Sequence, residues 1–117
     1  MLVTPMFRVS RIHGLPMVHL NGELDSYRSP SVKEHLFKLI ENGDHDLILN
    51  LNEVRFVDSS GLEALVAVHL RTLGHGGILR VLCPNRVIWR VFEITGLQRV
   101  FPVYREEMAL AASLDPK

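Results

Sequence analysis

Apolar and polar positions change period along this chain in short blocks, and each block predicts one element. From Met6 to Ile12 the apolar positions alternate, as in a strand with one buried face. His13-Gly14-Leu15-Pro16 reads as a turn, and Met17 to Asn21 as a second strand, so the chain opens with an antiparallel hairpin. From Ser26 to Asn42 the period becomes helical. Pro30 sits in the opening turn, where proline costs little, and Val32, Leu36, Leu39 and Ile40 form the inward stripe. Asn42-Gly43 stops that helix. Leu47 to Leu51 is a short apolar run suited to a central strand buried on both faces. A second helix is expected from Ser60 to Leu73, with Leu62, Leu65, Val66, His69, Leu70 and Leu73 inward and Gly74-His75-Gly76-Gly77 as its stop. Ile78 to Leu82 follows as a strand. Asn85 to Ile94 reads as a third helix, with Ile88, Val91 and Phe92 inward and Gly96 ending it. Val100 to Val103 fits an edge strand, since Pro102 is tolerated there, and Glu106 to Ala112 a terminal helix.

A hairpin followed by alternating strands and helices requires crossover connections and a parallel portion of sheet. The expected fold is α/β, with a mixed sheet covered by about four helices. No linker or repeat divides residues 1–117, so one domain is expected. Hydrophobic residues make up 47%, which excludes disorder and supplies a core without staples. One cysteine, Cys83, excludes a disulfide scaffold. No apolar run reaches the length of a membrane span, and Met1-Leu2-Val3-Thr4-Pro5 lacks the marks of a signal peptide. A cytoplasmic protein is therefore expected, with no membrane insertion. Thirteen basic residues balance thirteen acidic ones, so no basic surface for nucleic acid is expected; the partner is a protein or a small ligand.

The segment Asn50 to Leu62 carries the most chemistry. A strand ends, Phe56-Val57 follows, and Asp58-Ser59-Ser60-Gly61 opens a helix. All three of Asp58, Ser59 and Ser60 are N-cap residue types. Ser60-Gly61-Leu62-Glu63 matches a capping box, with Ser60 as cap and Glu63 reaching back. The free N–H groups and the positive dipole end of that helix also suit an anion, including a phosphate on a serine. Ala64, Ala67 and Val68 lie off the inward stripe yet are uncharged. This second apolar face is either buried between layers or reserved for a partner.

Other features read as structural. Six histidines (His13, His19, His35, His45, His69 and His75) lie on separate elements without metal-ligand spacing, so no metal is expected. Gly74-His75-Gly76-Gly77 follows a helix and lacks the Gly-Lys ending of a phosphate loop. No nucleophile elbow is present and no catalytic constellation is nominated, so neither enzymatic activity nor a cofactor is expected.

Four segments in order resemble the STAS domain, specifically the bacterial anti-sigma factor antagonists. They are Leu20-Asn21-Gly22-Glu23-Leu24-Asp25, Leu47-Ile48-Leu49-Asn50-Leu51, Phe56-Val57-Asp58-Ser59-Ser60-Gly61-Leu62 and Ile94-Thr95-Gly96-Leu97. The resemblance implies a single STAS domain and a partner switch. The unphosphorylated protein would bind an anti-sigma factor that is also a serine kinase, and so free a sigma factor. Phosphorylation of the serine before the glycine, Ser60, or as second choice Ser59, would release the antagonist, and a serine phosphatase would reset it. The implied partner-binding residues are Asp25, Asp58, Ser59, Ser60, Gly61, Leu62 and Ala64. A monomer or weak dimer is expected. The alternative within the same fold is a STAS subunit of a stress-signalling scaffold or of a transporter complex without a phospho-switch, where Ser60 is only a helix cap. Ser26-Tyr27-Arg28-Ser29-Pro30 departs from the small residues more usual in the family, placing Tyr27 and Arg28 as candidates to remodel the surface beside Ser60.

Overall fold

The structure, a computed structural model, describes residues 7–114. The expected strand start at Met6 and the features read at residues 1–5 lie outside the described residues. β1 (Phe7–Ile12) and β2 (Leu15–Leu24) form the antiparallel hairpin, with Phe7 opposite Leu20 and Ile12 opposite Leu15. Only His13 and Gly14 make the turn, both at positive φ (51° and 82°). A two-residue turn of that hand matches the twist of the strands it joins. Leu15 and Pro16, expected in the turn, therefore belong to β2, which also runs three residues beyond the expected end at Asn21.

α1 (Ser29–Glu41) starts three residues later than expected. The Asp25 carboxylate accepts the N–H groups of Tyr27 (3.1 Å) and Arg28 (3.0 Å) and holds the intervening residues in a turn. Val32, Leu36 and Ile40 are buried as the periodicity predicts, while Leu39 is only partly buried.

β3 (Leu47–Val57) is more than twice the expected length. Two register shifts explain why its second half is hard to read. His19 faces Asn50 while Asn21 faces Glu53, and Gly22 faces Val54 while Glu23 faces Phe56. Each shift inserts one extra β3 residue, a bulge that breaks the period of two. Leu51, Val54 and Val57 thus reach the same core at intervals of three.

The chain continues through α2 (Ser59–Gly74), β4 (Leu79–Leu82), α3 (Arg86–Thr95), a 3-10 turn at Leu97–Arg99, β5 (Val103–Tyr104) and α4 (Glu107–Ser113). The expected edge strand at Val100–Val103 is displaced toward the C-terminus. The 3-10 turn uses up the preceding residues, and Phe101 is buried in the core rather than paired in the sheet.

The five-stranded sheet has the order β1-β2-β3-β4-β5, antiparallel at β1·β2 and parallel elsewhere. Because each crossover advances one strand in the same direction and such connections are right-handed, α1, α2 and α3 must share one face. Their inward residues Leu36, Ile40, Leu65, Val68, Ile88 and Phe92 accordingly meet Val18, Leu49 and Val81 in one core. Alternate residues Met17, Ile48 and Leu82 point to the opposite face, which Leu110 of α4 covers. The turn between β3 and α2 therefore lies at the strand ends, beside the start of α1. Among the described residues no helix is long and apolar enough to cross a membrane.

Candidate functional site

Asp58 stands where β3 ends and α2 begins. Its backbone is extended (φ −108°, ψ −172°), its N–H donates to the Leu24 carbonyl (3.2 Å), and its Oδ1 accepts the Gly61 N–H (3.0 Å). Asp58 is therefore the N-cap of α2, and the capping box expected of Ser60 and Glu63 is not formed. Ser60 is already the second residue of the helix, so its side chain is past the position from which a cap reaches the first-turn N–H groups. A carboxylate in that place also complements the positive helix end.

Ser59 is exposed and Ser60 half-buried, and neither hydroxyl has a hydrogen-bond partner among the described residues. Asp58 takes the N–H of Gly61 with its side chain and that of Leu62 with its carbonyl (3.0 Å), leaving those of Ser59 and Ser60 unclaimed at the helix end. Gly61 is buried. A side chain there would collide with the Leu24 carbonyl oxygen, so Gly61 is what lets α2 start this close to β2. Leu62 is half-buried against the core, and Ala64 is buried.

Ser60 and Ala64 line a cleft of about 230 Å³ between the first turns of α1 and α2. The opposite wall is Ser26, Ser29, Pro30 and Lys33, and Glu63 completes it. The stretch Ser26 to Pro30 is expected beside Ser60, but through Tyr27 and Arg28; the residues that line the wall are Ser26, Ser29 and Pro30, with Lys33 beyond that stretch. Nothing in the spacing of Ser29 and Lys33 marks them, and only the crossing of the two helices brings them to Ser60. Asp25 lies close by in the chain of contacts, since Leu24 is bonded to Asp58, but its carboxylate is committed to the turn before α1. Tyr27 is 89% exposed. Arg28, expected beside Ser60, instead sends its guanidinium over Gly22 to Glu23 (3.8 Å), which also pairs with Arg55 (2.9 Å).

The face that α2 buries differs from the expected stripe. Gly61, Ala64, Leu65, Val68, His69 and Thr72 are inward, whereas Leu70 and Leu73 are 60% and 51% exposed. The small residues at 61 and 64 allow the close approach, and the helix turns the leucines of its far half outward. One of its two apolar faces thus remains partly open to solvent. Among the described residues no cluster of three His, Cys, Asp or Glu side chains is arranged to hold a metal ion.

Comparison with known proteins agrees with this architecture. The family model for the STAS domain matches residues 6–109. An anti-sigma-B factor antagonist of Bacillus subtilis is 34% identical over 86 residues, covering 74% of this chain and 78% of its own. A crystal structure of a Thermotoga maritima protein superposes with a TM-score of 0.85 at 23% identity, covering 93% of this chain and 94% of that one, which speaks for the fold alone. The same holds for the Bacillus cell fate determinant SpoIIAA in its phosphorylated form, with a TM-score of 0.67, 23% identity, and 92% and 98% coverage. By its mixed sheet with three helices on one face, its strand–turn–helix junction at Asp58 and the match over nearly its whole length, the chain belongs to the STAS domain family.

Proposed function

We propose that this chain is an anti-sigma factor antagonist whose affinity for its partner is set by phosphorylation of Ser60. The unmodified protein binds an anti-sigma factor that is also a serine kinase, and the sigma factor is freed. The observation that carries this reading is the cap. Because Asp58 fills the N-cap role, the Ser60 hydroxyl is left unpaired at the mouth of a cleft, where a kinase can reach it. The name of the Bacillus subtilis relative, an anti-sigma-B factor antagonist, supports the antagonist part of the reading.

The chemistry belongs to the partner. The kinase holds ATP and its metal ion, and the Ser60 Oγ attacks the γ-phosphorus. The Oγ–P bond forms, the bond to the ADP oxygen breaks, and the hydroxyl proton passes to a base on the kinase. The product carries about −1.5 to −2 charge at neutral pH. Unclaimed N–H groups and the dipole at the start of α2 favour that charge, so the fold is retained. The interface is what suffers. A dianion two residues from Asp58, against a surface fitted to a neutral hydroxyl, brings repulsion and uncompensated desolvation. A serine phosphatase restores the hydroxyl. Ser59, exposed and one residue nearer Asp58, is the second acceptor considered.

Titration calorimetry against the cognate anti-sigma kinase tests this. Wild type and Ser60→Ala bind, whereas Ser60→Asp and the kinase-treated wild type lose binding. Peptide mapping places the new phosphoryl group on Ser60. Undiminished binding by Ser60→Asp, together with no phosphoryl transfer to Ser60, refutes the proposal and leaves a constitutive STAS subunit.

A further inference from the structure

We propose that the cleft between α1 and α2 is the receiving site for the phosphate on Ser60, with the Lys33 ammonium as its counter-ion and the Ser29 hydroxyl as a hydrogen-bond donor. The inference rests on Ser60 as the acceptor and extends it to what the domain does with the charge once it is attached.

Three independent features of the cleft point to an anion. Lys33 is partly buried, lines the same cleft as Ser60, and forms no ion pair among the described residues. Lysines are seldom drawn toward the interior without a partner. Ser29 is only 4% exposed, and its Oγ has no hydrogen-bond partner. A buried hydroxyl left unpaired is a standing cost to the folded state, and the cleft wall is where a ligand oxygen would relieve it. Finally, two helices begin at this cleft. The unclaimed N–H groups are those of Ser59 and Ser60 at the start of α2; α1 adds little, since Ser29 N–H donates to the Asp25 carbonyl (2.8 Å), Pro30 has no N–H and Val32 N–H donates to the Arg28 carbonyl (3.1 Å).

Two carboxylates oppose the anion, Asp58 at the cap of α2 and Glu63 in the cleft itself. The Glu63 carboxylate and the phosphate compete for Lys33. After phosphorylation the nearer and larger charge takes the lysine. The phosphate is then drawn toward α1 and its charge is offset in part, while the remaining negative charge still faces the partner surface, and Lys33 sets how firmly the released state is held.

The test uses the full chain with phosphoserine installed genetically at position 60, so it needs no kinase. Phosphorus NMR gives the midpoint of the second phosphate ionisation, ordinarily about 6. With Lys33 engaged, the wild-type midpoint lies lower by ~0.5 unit or more. Lys33→Met returns it toward the ordinary value, Lys33→Arg keeps it low, and Glu63→Gln lowers it further. Ser29→Ala gives an opposite-sign signature. It raises the melting temperature of the unmodified protein, by removing an unpaired hydroxyl, and lowers that of the phosphorylated one. An unshifted midpoint indifferent to Lys33→Met, or a Ser29→Ala effect identical in both forms, overturns the receiving site. Neither result bears on whether a kinase modifies Ser60, which the binding and mapping experiment decides separately.

Discussion

Replacing Gly61 with alanine sets helix propensity against tertiary packing, and the structure says which wins. In a helix interior, alanine is favoured over glycine by about 1 kcal/mol. Gly61 is helical with no positive φ, so the backbone itself raises no objection. The added Cβ, however, would collide with the Leu24 carbonyl oxygen and lie 2.9 Å from Leu24 Cγ and 3.1 Å from Val57 Cγ1. Two of those three atoms belong to a fully buried leucine in the strand next to β3, and the oxygen is backbone, so none can swing aside. Overpacking of this kind costs about 1–3 kcal/mol. The same carbonyl accepts the Asp58 N–H, and moving it weakens a bond with a net value of about 1 kcal/mol. Subtracting the propensity gain leaves a net loss of about 1–3 kcal/mol. Urea unfolding followed by circular dichroism reads it directly. With a slope of about 1–3 kcal/mol per molar, the midpoint should fall by roughly 1 M. Gly74→Ala, in the last turn of the same helix, is the control. A Cβ there meets nothing within 4 Å, so that substitution should leave stability unchanged or raise it by up to about 1 kcal/mol. If Gly61→Ala proved as stable as Gly74→Ala, the claim that Gly61 sets the approach of α2 to β2 would be wrong. Ser60 would then owe its position to something else.

Three further outcomes follow from other parts of the fold. Asn85 caps α3 by accepting the N–H groups of Val87 (2.8 Å) and Ile88 (3.4 Å), and its amide donates to the Val54 carbonyl (3.2 Å) in β3. Asn85→Ala should cost about 1–3 kcal/mol in the same urea assay, and a loss below the ~0.5 kcal/mol floor for a cap would refute the double role. Burial, with Lys38 adding repulsion, holds the His35 imidazole below its ordinary 6.5, and burial with Arg8 does the same for His19. The unfolded chain therefore takes up protons that the folded one refuses. Stability from these rings is full above pH 6.5 and declines as pH falls from 6.5 through their lower folded values, with a ceiling of about 1.4 kcal/mol per pH unit for each proton. Both rings are partly exposed, so the slope should lie well under that ceiling. His35→Gln should flatten the decline measured down to about pH 5, above the carboxylate range, and an unchanged slope would count against it. Burial pushes the Cys83 thiol up to about 11. A disulfide reagent at mildly alkaline pH should label the native protein only as fast as it opens, and label it at once in denaturant; rapid native labelling would contradict the packing of Cys83 behind β4.

The sequence by itself determined the element order and the fold class. The stripe of α1 at Val32, Leu36 and Ile40 and the apolar first half of β3 are legible because each has a clean period and a single burial direction. The resemblance carried by Asp58-Ser59-Ser60-Gly61-Leu62 and its companion segments points to the STAS family, which the match over residues 6–109 shows. Local rules failed wherever one residue type suits two neighbouring jobs. Asp58 and Ser60 are equally good caps on paper, and only the placement of Asp58 against the Leu24 carbonyl gave the role to the aspartate and left the serine free. The second half of β3 was hidden because two bulges shift its inward residues from every second to every third position. The inward face of α2 was misjudged because both of its faces are apolar. Periodicity then gives no preference, and the small volume of Gly61 against Leu24 of β2 decides. Ser29 was legible only as part of the stretch Ser26 to Pro30, and Lys33 not at all. They are ordinary residues on another helix, and only the right-handed crossovers that stack α1 beside α2 on one face of the sheet bring them opposite Ser60.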